Sequence, residues 1–109
     1  MAKYQFQLYV SGQTPRSLRA AYNLRRICEQ YLGADGIGYA LDLIDVLKHP
    51  ELAAAEHIFA TPTTLRVAPL PLSRVIGDLS DPAKVLVALG VEEFGEPFPR
   101  FPRSKDEPT

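Results

Sequence analysis

The ten prolines of this 109-residue chain constrain its fold more than any other feature. Proline lacks an N–H and its ring collides with the preceding turn, so it is kept out of helix interiors and central strands. Pro15, Pro50 and Pro82 each stand where a helix can begin. Thr14 and Asp81 precede two of them as N-cap candidates, and Glu51 follows the third, near the positive end of the helix dipole. Pro69 and Pro71 stiffen a connection between two short alternating segments, Pro62 precedes the first of these segments, and four more prolines crowd into the last fifteen residues. Regular elements must fit between these points.

Tyr4, Phe6, Leu8 and Val10 alternate with Gln5, Gln7 and Tyr9, which is the period of a strand. From Pro15, Ala20, Leu24, Ile27 and Tyr31 recur at helical spacing, and Gly33 closes the run. The stretch from Tyr39 to Val46 is apolar on most of both faces, as expected of a central parallel strand, and completes a right-handed βαβ unit. An alanine-rich helix should run from Pro50 to around Phe59 on the surface. Thr63–Val67 and Ser73–Gly77 alternate as an antiparallel pair, and Val85, Leu86 and Leu89 give a last short helix an apolar face before Gly90 caps it. The reading is an α/β fold of order β-α-β-α-β-β-α, the thioredoxin-like arrangement, with one domain over residues 1–94. Residues 95–109, rich in proline and charge, are expected to form a flexible tail.

Lys and Arg number 12 against 13 Asp and Glu, a net charge of -1, so no global field attracts nucleic acid or an acidic membrane. After Met1-Ala2-Lys3 the chain passes straight into alternation, and no run approaches the ~20 apolar residues of a membrane span. A soluble, cytoplasmic protein is expected. The single cysteine, Cys28, cannot form an internal disulfide. Redox chemistry on this fold needs two thiols at the mouth of the first helix. That place reads Gly12-Gln13-Thr14-Pro15, and Cys28 lies roughly four turns further along on the apolar side, where a thiol packs.

His49 and His57 are eight residues apart, outside the spacing that joins two ligands on one helix. Ser11, Ser17 and Ser73 lack a nucleophile elbow, no glycine-rich phosphate loop is present, and Asp42 and Asp45 point to opposite faces of their strand. The expectation is therefore no catalytic residue, no metal and no cofactor.

Four blocks in order, Leu8-Tyr9-Val10-Ser11-Gly12-Gln13-Thr14-Pro15, Ile44-Asp45-Val46-Leu47-Lys48-His49-Pro50, Ala60-Thr61-Pro62-Thr63 and Ile76-Gly77-Asp78-Leu79-Ser80, resemble the KaiB family, and the resemblance runs from about Tyr4 to Leu89. It implies a non-enzymatic timing protein that binds the N-terminal ATPase ring of a KaiC-type protein and modulates its phosphorylation and ATPase cycle. Further partners of such proteins are a KaiA-type protein and clock histidine kinases. Asp42 reverses a charge common on the KaiA-facing strand, which favours a reduced system without that partner. An alternative that the same pattern supports is a stand-alone sensor or adaptor like the thioredoxin-like domain of clock histidine kinases.

The resemblance further implies two folds of one sequence. One is a self-associating ground state, dimer or tetramer, of topology β-α-β-β-α-α-β; the other is the thioredoxin-like state. Arg19, Lys48, Arg66 and Arg74, with Asp45, are the candidates for contact with the ring or a sister subunit. Pro62, Pro69 and Pro71 are candidates to gate the change of fold, and Thr61-Pro62 falls on the cis-proline position of thioredoxin-like proteins. Ala88 stands where Gly is typical and Gly90 where an acidic residue is typical. Within a helix Ala is favoured over Gly by roughly 0.8–1 kcal/mol, so the expected balance tilts toward the thioredoxin-like state.

Overall fold

The computed structural model describes residues 3–33 and 38–90. Strand β1 is Tyr4–Val10, helix α1 is Pro15–Cys28 with a π-helical turn Glu29–Gly33 continuing it, and β2 is Tyr39–Asp45. Then follow α2 (Pro50–Ala55), β3 (Thr63–Ala68), β4 (Ser73–Ile76) and α3 (Pro82–Ala88). The order is the thioredoxin-like β-α-β-α-β-β-α, not the alternative ground-state topology. The expected tail, 95–109, lies outside the described residues.

All three helices open on their prolines, and two are capped from the residue before. The Thr14 hydroxyl accepts from the Ser17 N–H at 3.3 Å and an Asp81 carboxylate oxygen from the Lys84 N–H at 3.4 Å, while His49 offers α2 no side-chain cap. Thr61-Pro62, Ala68-Pro69 and Leu70-Pro71 are cis.

The sheet order is β2-β1-β3-β4. β1 runs parallel to β2, with Tyr4 opposite Tyr39 and Val10 opposite Asp45, and antiparallel to β3, with Phe6 opposite Arg66. β3 is antiparallel to β4, with Thr63 opposite Ile76. One face of β1, carrying Tyr4, Phe6, Leu8 and Val10, packs with Ala20, Leu24 and Ile27 of α1 and with Val85 and Leu86 of α3. Removing these side chains from water drives the fold at roughly 25 cal/mol per Å² of apolar surface.

Two expectations need correction. The stretch from Tyr39 is an edge strand rather than a central one, because β1 lies between it and β3; Leu43 accordingly stays 59% exposed. Strand β1 lies inside the sheet, buried along its core face and at Tyr9 on the opposite side, and its inner neighbour β3 is buried on both faces from Thr63 to Arg66. Helix α2 ends at Ala55, not Phe59. His57 turns left-handed at φ 56°, its N–H bonds the Ala54 carbonyl, and the Ile58 N–H bonds the Ala53 carbonyl, a Schellman stop built on a non-glycine residue. None of the residues of α2 is buried, as expected of a surface helix.

Candidate functional site

The carboxyl ends of β1 and β2 meet the start of α1 and the loop before β3, the place where thioredoxin-like enzymes carry their dithiol. Polar groups here are tied to one another. The Ser11 N–H donates to the Ser17 hydroxyl at 3.2 Å, and the Ser11 and Thr61 hydroxyls share a 2.8 Å hydrogen bond that joins the end of β1 to the residue before Pro62. One Asp45 oxygen accepts from the Gly12 and Leu47 N–H groups, both at 3.0 Å. Those two backbone donors hold the Asp45 carboxyl below its ordinary range. Gly12 has φ +60° and supports this turn, a conformation that suits a residue without a side chain.

Around this polar knot the surface is apolar. A groove lies between Ser11, Val46, Pro50, Ile58, Phe59 and Thr61, and Phe59 is 91% exposed at its rim; Leu47, which follows Val46 in the chain, is 70% exposed. The sequence reading missed both residues. It puts Phe59 at the end of a surface helix and Leu47 in a family block, neither with a role of its own, and the signal that could have found them is a large apolar side chain in a segment without an apolar period. Such a surface can bind, and the Ser11 hydroxyl in its lining is bonded to the Thr61 hydroxyl.

The five candidate contact residues fall in different places. Arg19 lies on α1 and pairs with Asp78 at 3.2 Å. Lys48 is exposed in the turn after β2. Asp45 is partly exposed and caps backbone as described. Arg74 is exposed on β4, and its guanidinium donates to the carbonyls of Glu56 and His57 at 3.0 and 3.2 Å, so it also closes the end of α2. Arg66 departs from expectation: it is only 4% exposed, with Nη1 on the Leu89 carbonyl at 2.7 Å and Nη2 on the Pro71 carbonyl at 2.8 Å. In this fold it is an internal fastener, because β3 is an inner strand covered on both faces. Of the fold-change candidates, Pro62 is buried, Pro69 and Pro71 bracket the β3–β4 connection, Ala88 is the exposed last residue of α3, and Gly90 has φ +71° beside Arg66.

Cys28 is buried and its thiol is pushed up to about 12 by burial, so it is held as a neutral packing group. His49 lies 3.5 Å from Glu51, and among the described residues no group of three or more histidines, cysteines or carboxylates could hold a metal. Nor, among them, is any helix long and apolar enough to cross a membrane.

These features define a thioredoxin-like domain in which an apolar groove and a backbone-capping carboxylate stand where the dithiol would be. The KaiB domain model matches residues 7–91, and the chain belongs to the KaiB family. A circadian clock oscillator protein KaiB of Cyanothece sp. is 50% identical over 95 residues, covering 85% of this chain and 88% of that one. Its counterpart in Synechococcus elongatus is 52% identical over 87 residues, covering 79% and 81%.

Solved structures share the fold at lower identity. The N-terminal domain of Synechococcus elongatus SasA has a TM-score of 0.66 at 21% identity, over 88% of this chain and 90% of that one. Chloroplastic thioredoxin z has a TM-score of 0.65 at 22% identity, over 85% and 80%.

Proposed function

We propose that this chain is a non-enzymatic clock component that docks on the N-terminal ATPase ring of a KaiC-type protein in the cytoplasm and modulates its phosphorylation and ATPase cycle. The family match over residues 7–91, which spans nearly the whole described fold, carries the reading. The surface around Phe59 supports it, since a large exposed aromatic beside an apolar groove favours a macromolecular partner over a small substrate. Lys48, next to Leu47, and Arg19 on α1 add charge that steers encounter. The same reading includes exchange with a self-associated dimer or tetramer of topology β-α-β-β-α-α-β, with Pro62, Pro69, Pro71, Ala88 and Gly90 in the part of the chain that changes.

The test is size-exclusion chromatography of the purified chain with a KaiC homologue and ATP. Co-elution is expected, weakened by Phe59→Ala and Lys48→Glu. Failure to co-elute with any KaiC-type ring offered, or turnover of a substrate by the chain alone, overturns the reading. Elution of the free chain against size standards tests the self-associated form.

A further inference from the structure

Arg66 stands opposite Phe6 in the β1–β3 ladder, so its side chain lies on the core face of the sheet with the apolar residues of β1. A guanidinium there needs compensation, and among the described residues no carboxylate forms an ion pair with it. What it has are two carbonyls from separate parts of the chain: Leu89, the C-cap of α3, at 2.7 Å, and Pro71, in the β3–β4 connection, at 2.8 Å. Nε has no partner. The carbonyl end of α3 carries the negative end of its dipole, which suits a cation at that point. Gly90 leaves the space for it, since a Cβ at Gly90 would collide with Nη1 of Arg66.

We infer that Arg66 is a latch that couples the last turn of α3 to the β3–β4 connection, so that the two segments open together. If α3 lifts, the buried cation loses its dipole end and keeps one carbonyl; if the connection lifts, it keeps only the other. Either release leaves a poorly compensated charge, which makes separate openings costlier than a joint one. The latch belongs to the isolated chain and does not depend on any ring partner.

The experiment is amide hydrogen exchange by NMR on the full chain. Arg66→Met removes the cation but keeps an apolar stem. It should speed exchange about ten- to a hundredfold at Leu89 and Gly90 and also across Ser73 to Val75, the loss expected for a charge-assisted bond, while Leu8 and Leu24 are unchanged. Arg66→Lys, whose single ammonium cannot span both carbonyls, should loosen one segment only. Gly90→Ala displaces the guanidinium and should reproduce the paired pattern if Arg66→Met does not fold. Gly77→Ala, at φ +125° with nothing near its Cβ, is the control for backbone strain and should not reproduce it. Acceleration confined to one segment in Arg66→Met, no acceleration, or a uniform rise that includes Leu8 and Leu24 overturns the latch.

Discussion

From Tyr4 to Asp45 the chain is held by apolar burial: β1 is buried along most of its length, and α1 buries Ala20, Leu24, Ile27 and Cys28 in one stripe. From Pro50 to Gly90 the balance differs. Helix α2 buries nothing, β4 is four residues long, and the inner strand β3 carries Thr63, Thr64 and Arg66 in the interior. To the buried Leu65, Leu79, Val85, Leu86 and Leu89 this second half adds directional bonds to carbonyls: Arg66 to Leu89 and Pro71, Arg74 to Glu56 and His57, and the Asn23 amide to Asp78 at 2.8 Å. Both non-glycine residues with positive φ in the described chain, His57 and Leu79, also lie there. With fewer buried apolar side chains and a helix that buries none, this is the half from which local opening is drawn.

The largest test of this contrast sets a core leucine against a surface one. Leu24 is fully buried and Leu52 in α2 is 40% exposed. Leu24→Ala should cost about 2–5 kcal/mol, and Leu52→Ala no more than about 0.5 kcal/mol, both measured as shifts in the urea midpoint. Similar losses at the two sites would mean that α2 is bound to the core far more tightly than its exposure indicates.

How far this division was legible in the sequence depends on the interaction that decides each feature. Helix starts were legible because Pro15, Pro50 and Pro82 fix them through local backbone chemistry, and the Tyr4–Val10 alternation marked β1 for the same reason. The edge position of β2 was not. Its residues from Tyr39 onward are as apolar as an inner strand's, and only the crossover that places β1 between β2 and β3 decides which of them is flanked. Arg66 misled in a related way: alternation with Leu65 and Val67 points it outward on a two-faced strand, but β3 is covered on both faces and its interior partner is a carbonyl 23 residues on. The stop after Ala55 was hidden because it uses His57 where glycine is the usual sign. Of the site, the missing dithiol could be read directly, whereas Phe59, placed at the end of a surface helix, and Leu47 carried no local signal that marked them as contact residues.

Arg74 tests the fasteners at the surface. Replacing it with Ala removes two bonds to the end of α2 and should cost about 1 kcal/mol, the discount from a buried charge reflecting its exposure. Exchange should quicken at Glu56 to Ile58 and leave α1 unaffected. A loss spread evenly over both halves would show that α2 is not fastened from β4.

Smaller still, and opposite in sign, is His57→Gly. A left-handed conformation costs an ordinary residue roughly 1–2 kcal/mol, and glycine gives back part of that through its greater freedom when unfolded, roughly 0.5–1 kcal/mol. A net gain of about 0.5–1 kcal/mol in the urea midpoint is expected. No gain would mean that the His57 ring, 6.3 Å from that of Phe59, holds the stop by contact rather than merely enduring it.

The finest test compares two carboxylates, one for each half. Asp45 ties the end of β2 to the Gly12 turn, and its carboxyl is lowered from the ordinary 3.8 chiefly by the Gly12 and then the Leu47 N–H. Asp78, which leads into α3, is lowered chiefly by a hydrogen bond from the Ser80 side chain and less by Arg19. A carboxyl lowered on folding adds stability above its unfolded value and loses it as pH falls through the folded one, so both contributions fade below 3.8. Asp45→Asn should be measurably less stable than the parent at about pH 7, and the gap should narrow as pH falls below 3.8 and the parent's own carboxyl takes up its proton. Asp78→Asn should show the same convergence, but with faster exchange confined to the start of α3. A gap in Asp45→Asn that stays constant with pH would mean that the aspartate's shape, not its charge, holds the turn at the mouth of the groove.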